Sequence, residues 1–224
     1  MPQIITLDAS SPEIQYLCAR DKRLARIIHI IGPLTYRPHE EDPYSFFIHE
    51  IIEQMMSVKA ARRINERLEE KCGGRVTIER ICALSGSDIR STGTSVAKVE
   101  YIRNVTQAFS SGYWDFEKIK EMADEDIISL LTSVRGIGNW TAKMCLMFVL
   151  NRPNILPFED GAFLQVYRWL YNTDDCTEKS VTQRCKKWSP YSTIASRFFY
   201  KALDTGLTKN EFHLYKPIGG KNGY

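Results

Sequence analysis

The 224-residue chain has six cysteines, at 18, 72, 82, 145, 176 and 185, yet no CxxC pair, and its four histidines are not at zinc-finger spacing. Neither a structural zinc site nor a dithiol redox motif is indicated, and reduced thiols are the expected state. Long apolar runs are also missing, since none approaches the roughly 18 residues of a membrane span. The opening MPQIITLDASSPEIQYL lacks the basic start and apolar core of a secretory signal. These absences lead to the expectation of an intracellular protein, cytoplasmic or nuclear, with no membrane partner. Neither sign of charge is in excess: a net charge of +3 permits nucleic-acid binding without demanding it. Internal repeats, low-complexity stretches and long period-two alternation are absent as well, which leaves little sequence from which to build a sheet.

What is present is a succession of amphipathic helices separated by Gly, Pro, Ser and Asp, so the expected fold class is all-α. SSPEIQYLCARDKRLARIIHIIG (10–32) offers one helix or two, ending at Gly32-Pro33, and LTYRPHEEDPY (34–44) reads as a connector. An apolar helix is expected from Phe46 to Met56. Ser57 caps the next, whose Val58, Ala61, Ile64 and Leu68 recur at helical spacing until Gly73-Gly74 stop it. Thr77, Ser95, Asp115, Asp124 and Asp160 are further helix starts, and Ser189-Pro190 reads as a cap followed by proline in the first turn. NWTAKMCLMFVL (139–150) is apolar around nearly its whole circumference, so it is expected in the core. The tail from 214 to 224 reads as loose.

DEDIISLL-TSVRGIG-NWTAKMCLMFVL reads as helix, tight hairpin, helix. Gly136 and Gly138 permit positive φ and close backbone approach, and a helix start with exposed amides is a ready anion site, suited to a DNA phosphate. On the glycines alone, an ordinary C-cap followed by a short connector explains the segment equally well.

VRGIGNWTA resembles the hairpin of the helix-hairpin-helix DNA glycosylase superfamily, whose usual form is L-P-G-hydrophobic-G followed closely by T-A. That superfamily has an essential aspartate one helix later, and Asp160 stands at that spacing. Three more stretches are similar to the branch of bacterial 3-methyladenine DNA glycosylases of the alkylation-repair type. They are IIEQMMSVKAARRINERL (51–68), DKRLARIIHIIGPL (21–34) and WSPYSTIASRFFYKAL (188–203), so the resemblance covers roughly residues 21–204. The sequence departs from the pattern where Arg135 replaces a proline, Met55 a common glutamine, and Glu159 an aspartate, and where Thr193 follows Ser192 in place of an arginine–serine order.

The resemblance implies a two-lobed helical glycosylase, with one lobe at about 42–156 and the other from 1–41 plus 157–224. It implies a monofunctional enzyme of base excision repair, a monomer acting on double-stranded DNA that flips a damaged, alkylated purine and hydrolyses its N-glycosidic bond. Asp160 is the implied catalytic group, because a fixed carboxylate stabilises the positive charge that develops on the deoxyribose. Trp140 and Tyr200, with Met144 and Phe163 as lesser candidates, are the implied base pocket, whose aromatic faces attract a cationic alkylpurine. Met55 is the implied wedge, though a methionine in EQMMS suits a core equally well. Gly136, Gly138 and Lys143 are the implied backbone contacts, and the carbonyls of Thr132, Val134 and Gly136 the implied ligands of Na⁺ or K⁺. No cofactor is otherwise expected. Strand-cleaving relatives carry a lysine where Trp140 stands, so no Schiff base is expected, and with only Cys176 and Cys185 in the relevant region no iron–sulfur cluster is expected. Lys59, Arg62, Arg63, Lys98 and Arg103 are basic residues for the same DNA face or for a solvated surface. Two other readings stay open: a glycosylase for oxidised, deaminated or mismatched bases, and a helix-hairpin-helix module that binds DNA structure without chemistry.

Overall fold

The computed structural model describes residues 4–37 and 42–215. The tail expected to be loose lies outside the described residues from 216 onward, as does 38–41 of the connector. In chain order the elements begin with β1 (Ile5–Leu7), α1 (Pro12–Arg20), α2 (Lys22–Ile31), β2 (Leu34–Tyr36), α3 (Pro43–Glu53), α4 (Val58–Lys71), α5 (Ile78–Ala83) and α6 (Gly86–Ser91). They continue with α7 (Val96–Ser110), α8 (Phe116–Ile119), α9 (Asp124–Thr132), α10 (Asn139–Met144), α11 (Gly161–Tyr171), α12 (Glu178–Cys185) and α13 (Ser192–Asp204). The all-α expectation holds, with one addition: β1 and β2 pair antiparallel, Ile5 opposite Tyr36 and Leu7 opposite Leu34. Strands of three residues are too short for alternation to register in a sequence.

The chain divides into two compact units, Met1–Pro38 with Asn151–Tyr224, and His39–Leu150. The second boundary falls at 150/151 instead of near 156, and side chains on α13 explain it. Thr193 Oγ1 donates to the Arg152 carbonyl at 2.6 Å and accepts from the Ile155 amide at 2.9 Å, while Ser192 Oγ donates to Asn154 Oδ1 at 2.9 Å.

The first unit is built on α2, α11 and α13, whose Leu24, Ile27, Phe163, Val166, Leu170, Phe198 and Phe199 are buried together with Trp188. The 10–32 segment forms two helices because Asp21 caps the second: its Oδ1 accepts from the amides of Arg23 at 3.0 Å and Leu24 at 3.2 Å. Its other oxygen is only 2% exposed with the rest of the side chain, yet accepts from the Tyr171 hydroxyl, from Trp188 Nε1 at 3.0 Å and from Lys187 Nζ at 3.0 Å. Burial pushes this carboxyl up, but the converging donors outweigh it and hold the group below its ordinary value. The helix α13 starts at Ser192, with Tyr191 as its cap and the Tyr191 carbonyl accepting from Ala195, so Ser189-Pro190 precedes the helix and does not cap it.

In the second unit, α3 lies against α7 with Tyr44, Phe46, Phe47, Ile48, Ile51 and Ile52 buried. Phe47 meets Trp114 with ring centroids 4.8 Å apart, and Phe109 stacks on Phe116 at 5.4 Å. Ser57, Thr77, Ser95 and Asp115 each accept an amide hydrogen of the helix they precede, as their positions predict. Asp124 differs, being the first residue of α9, with Ala123 at the cap. An acidic first turn serves the helix dipole without a capping bond, which is why the two placements look alike in a sequence. The expected helix ending at Met56 stops instead at Glu53, where Lys98 Nζ donates to the carbonyls of Ile52 at 2.8 Å and Gln54 at 2.7 Å. Among the described residues no helix is long and apolar enough to cross a membrane.

Candidate functional site

Residues 133–138 turn the chain between α9 and α10, and the turn has one obligatory glycine. Gly136 has φ of 108°, and a Cβ there would overlap the Cβ and Cγ of Tyr101. Gly138 does not use the same freedom. With φ of −100° it is extended, and a Cβ on it would meet nothing. Its contribution is to stand at the cap of α10 without a side chain, so that no side chain bonds the first-turn amides. The hairpin is held by α7: Arg135 pairs with Glu100 at 2.7 Å, and Asn104 Nδ2 donates to the Arg135 carbonyl at 3.1 Å. From the end of α3, Gln54 Nε2 donates to the Gly136 carbonyl at 3.0 Å. Gly136→Ala is expected to lower stability by about 3 kcal/mol, combining backbone strain with the clash on Tyr101. Urea titration of the variant measures this, and Tyr101→Ala added to it should recover only the part due to the clash.

The Gln54 bond bears on the expected cation site. The Val134 carbonyl already accepts the Ile137 amide at 3.1 Å, and the Gly136 carbonyl carries Gln54. A carbonyl oxygen has two lone pairs, so one donor on each of these carbonyls leaves a second lone pair for a cation.

Beside Gln54 stands the most exposed large apolar side chain among the described residues. Met55 is fully exposed, at 103% of the reference area, and takes a left-handed φ of 56°. Left-handed backbone is unfavourable for a residue with a side chain and recurs where a fixed geometry has a use. Met56 and Val58 on the same turn, and Val96 at the start of α7, are exposed as well.

In α10, Trp140 and Lys143 are half-buried and Met144 is buried. The helix then passes into a π-helical turn, Cys145–Val149, closed by the Leu150 amide on the Cys145 carbonyl at 2.9 Å. Such wide turns are rare in helices and are frequently found at functional sites. Burial of Cys145, Leu146, Met147 and Val149 agrees with the expected core placement.

Asp160 belongs to the other unit. It is 9% exposed, caps α11 by accepting the Phe163 amide at 2.7 Å, and follows a tight turn in which its own amide bonds the Pro157 carbonyl at 3.0 Å. The preceding loop is pinned to α13 by Ser192 and Thr193 as described, and by the Thr193 amide on the Pro153 carbonyl at 3.0 Å. Thus the carboxylate stands on backbone fixed at both ends, with the position of its helix start set by α13. Glu159 beside it is exposed. Tyr200, on α13, is half-buried. Phe163 is not a pocket wall: it is wholly buried, stacked on Phe199 at 5.0 Å and edge-on to Trp188 at 6.2 Å. The residue three places after a capping aspartate begins the inward face of α11, which a pocket reading of its aromatic ring overlooks.

The hairpin and Asp160 both lie within a stretch of the chain that is similar to known proteins. Residues 48–190 match the family model described as HhH-GPD superfamily base excision DNA repair protein. The chain belongs to the HhH-GPD superfamily. A crystal structure of a DNA-3-methyladenine glycosidase from Bacillus halodurans is 33% identical, with a TM-score of 0.78 over 90% of this chain and 94% of that one. The Schizosaccharomyces pombe 3-methyladenine DNA glycosylase in complex with abasic DNA gives a TM-score of 0.77 at 26% identity, over 92% and 100% of the two chains. Among curated proteins, the DNA-3-methyladenine glycosylase 1 of the same yeast is 28% identical over 194 residues, 83% of this chain and 84% of its own length.

The HhH-GPD region contains the hairpin, α10 and Asp160, and it also contains positions whose roles become visible only in three dimensions. Lys98 and Arg103 are not free for a DNA face. Lys98 closes the end of α3, and Arg103 donates to the carbonyls of Ile81 at 3.0 Å and of Leu84, closing α5. Lys59, Arg62 and Arg63 are exposed, with Arg62 paired to Glu66 at 2.9 Å. Gln54 and Thr193 were visible as letters of similar stretches, but their partners lie 82 and 41 residues away in the chain.

Proposed function

We propose that this HhH-GPD protein is a monofunctional DNA glycosylase of base excision repair, which flips an alkylated purine out of duplex DNA and hydrolyses its N-glycosidic bond. The observation that carries the reading is Asp160: a buried carboxylate at the start of α11, fixed by its own cap and by the loop bonds to α13. As the bond from C1′ to the base nitrogen lengthens, the electron pair leaves with the base and positive charge gathers on the sugar. Asp160 stabilises that charge and orients the water that adds to C1′. A base alkylated at ring nitrogen is already cationic and departs neutral, so no strong acid is required to protonate it.

The remaining roles are part of the same proposal. Trp140 and Tyr200 offer aromatic faces to the cationic base, and Met144 lies on the same helix as Trp140. Met55, being fully exposed on a strained turn, is disposed as a wedge and not as core. The uncapped amides at Gly136 and Gly138, with Lys143, meet a phosphate without reading sequence. Trp140 has no amine, so the reaction stops at an abasic site and leaves the strand intact.

Duplexes carrying 3-methyladenine, 8-oxoguanine, uracil or hypoxanthine test the reading. Release is expected from the alkylated duplex, with strand breakage appearing only after alkali. Release from 8-oxoguanine or uracil duplexes alone would move the protein to a different substrate class, and no release from any would leave a binding module.

A further inference from the structure

Among the described residues of the second unit, only Met55 combines a side chain with a positive φ, at 56°. A residue with a Cβ leaves that left-handed region for the right-handed one unless its neighbours hold it there. The hold begins at the end of α3, whose last carbonyls have no partner inside the helix. Lys98, on α7, brings its ammonium to two carbonyls of this end, Ile52 at 2.8 Å and Gln54 at 2.7 Å. The backbone is thereby gripped three residues and one residue before Met55, by a cation that also meets the negative end of the helix dipole. Lys98 is half-buried, and loss of water pushes its ammonium below the ordinary lysine value. Gln54 supplies a second tie through Nε2 on the Gly136 carbonyl at 3.0 Å. Past Met55, the Met56 amide on the Glu53 carbonyl at 3.1 Å closes the turn.

We propose that Lys98 is a positioning residue for insertion into DNA: its ammonium, with the Gln54 amide as a second tie, keeps Met55 in its outward left-handed conformation before DNA arrives. The inference rests on the reading of Met55 as the wedge. Without the hold, the outward state becomes a minor one, and the apparent affinity for a gap in the stack falls by the fraction that remains. Gln54 extends the effect, because the wedge turn and the hairpin that meets the phosphate share this one residue. Anchoring the hairpin therefore also sets where Met55 meets the duplex.

The test is the ratio of affinities for a duplex with a stable abasic analogue and for the same duplex intact, which needs no base release. An abasic site leaves a gap that a wedge fills, so the wild type is expected to prefer it. Lys98→Met keeps the aliphatic stem and loses the donors, and is expected to cut the preference about tenfold, the population cost of a left-handed residue that nothing holds. The ratio separates this effect from lost phosphate attraction, which weakens both duplexes alike. Lys98→Gln, too short to span both carbonyls, serves the same test if Lys98→Met does not fold. Met55→Ala is expected to lose the preference as well, and adding Lys98→Met to it to remove no more, since Lys98 acts through Met55. Undiminished preference in the Lys98 variant, or a further loss when it is added to Met55→Ala, would overturn this inference alone. No preference in the wild type, or full preference in Met55→Ala, removes the wedge reading and the inference with it.

Discussion

Asp160→Asn is expected to bind an alkylated duplex as the wild type does and to release the base about a thousand-fold more slowly, the scale of losing one preorganised electrostatic partner of a transition state. The substitution isolates the charge because asparagine is as good a helix cap as aspartate. Its side-chain oxygen can still accept the Phe163 amide, now at 2.7 Å, so α11 and the loop ahead of it keep their positions. What disappears is the negative charge and the ability to take a proton from water. Asp160→Ala provides the comparison: it removes the cap as well, at a cost of about 1 kcal/mol in stability, and should be no slower than the asparagine variant in chemistry. Single-turnover release from a 3-methyladenine duplex, with binding measured separately, gives both quantities. Release within tenfold of wild type by Asp160→Asn would remove Asp160 from the mechanism.

How far the sequence discloses this molecule depends on how local each cause is. Ser57, Thr77, Ser95 and Asp160 were legible as helix starts because the bond each one makes is to an amide two or three residues away. Gly136 was legible because a turn between two helices needs a residue free of Cβ, although Tyr101, which enforces it, is on another helix. Gly138 looked equivalent and is not, since a glycine letter does not reveal the sign of φ. The misreadings share a different origin. Lys98 and Arg103 look like surface cations on an amphipathic helix, yet their ends reach carbonyls 46 and 22 residues away in the chain. Phe163 looked available as a pocket wall until Phe199 and Trp188, which cover it, were in place. Met55 shows the reverse: an apolar letter in an apolar stretch suggests core, and only the left-handed turn at the end of α3 turns it outward. Of the candidate site, the Asp160 carboxylate and the hairpin were readable, while the supports that hold them, Gln54 and Thr193, required the fold.

The same distinction singles out Asp21, one polar letter within the 10–32 stretch that the structure makes both a helix cap and a buried anchor. Asp21→Asn is expected to destabilise the protein by about 3 kcal/mol, because a buried acceptor with several donors becomes a mismatched group. The asparagine oxygen can still cap α2 through Arg23 and Leu24. Its amide then points at the Tyr171 hydroxyl, Trp188 Nε1 and Lys187 Nζ, which are donors facing a donor. The pH dependence separates this from a general packing defect. Asp21 is held below its ordinary value when folded, so the stability it contributes is complete above the unfolded carboxyl value of about 4 and is lost as pH falls through the lower folded value. The gap between wild type and Asp21→Asn should therefore be constant from neutral pH down to about 5 and shrink below about 4. Urea titrations of both proteins across that range measure the gap directly. A loss under about 1 kcal/mol at neutral pH, or a gap that does not narrow in acid, would mean that the donors around Asp21 find other partners and that the first unit does not depend on this carboxylate.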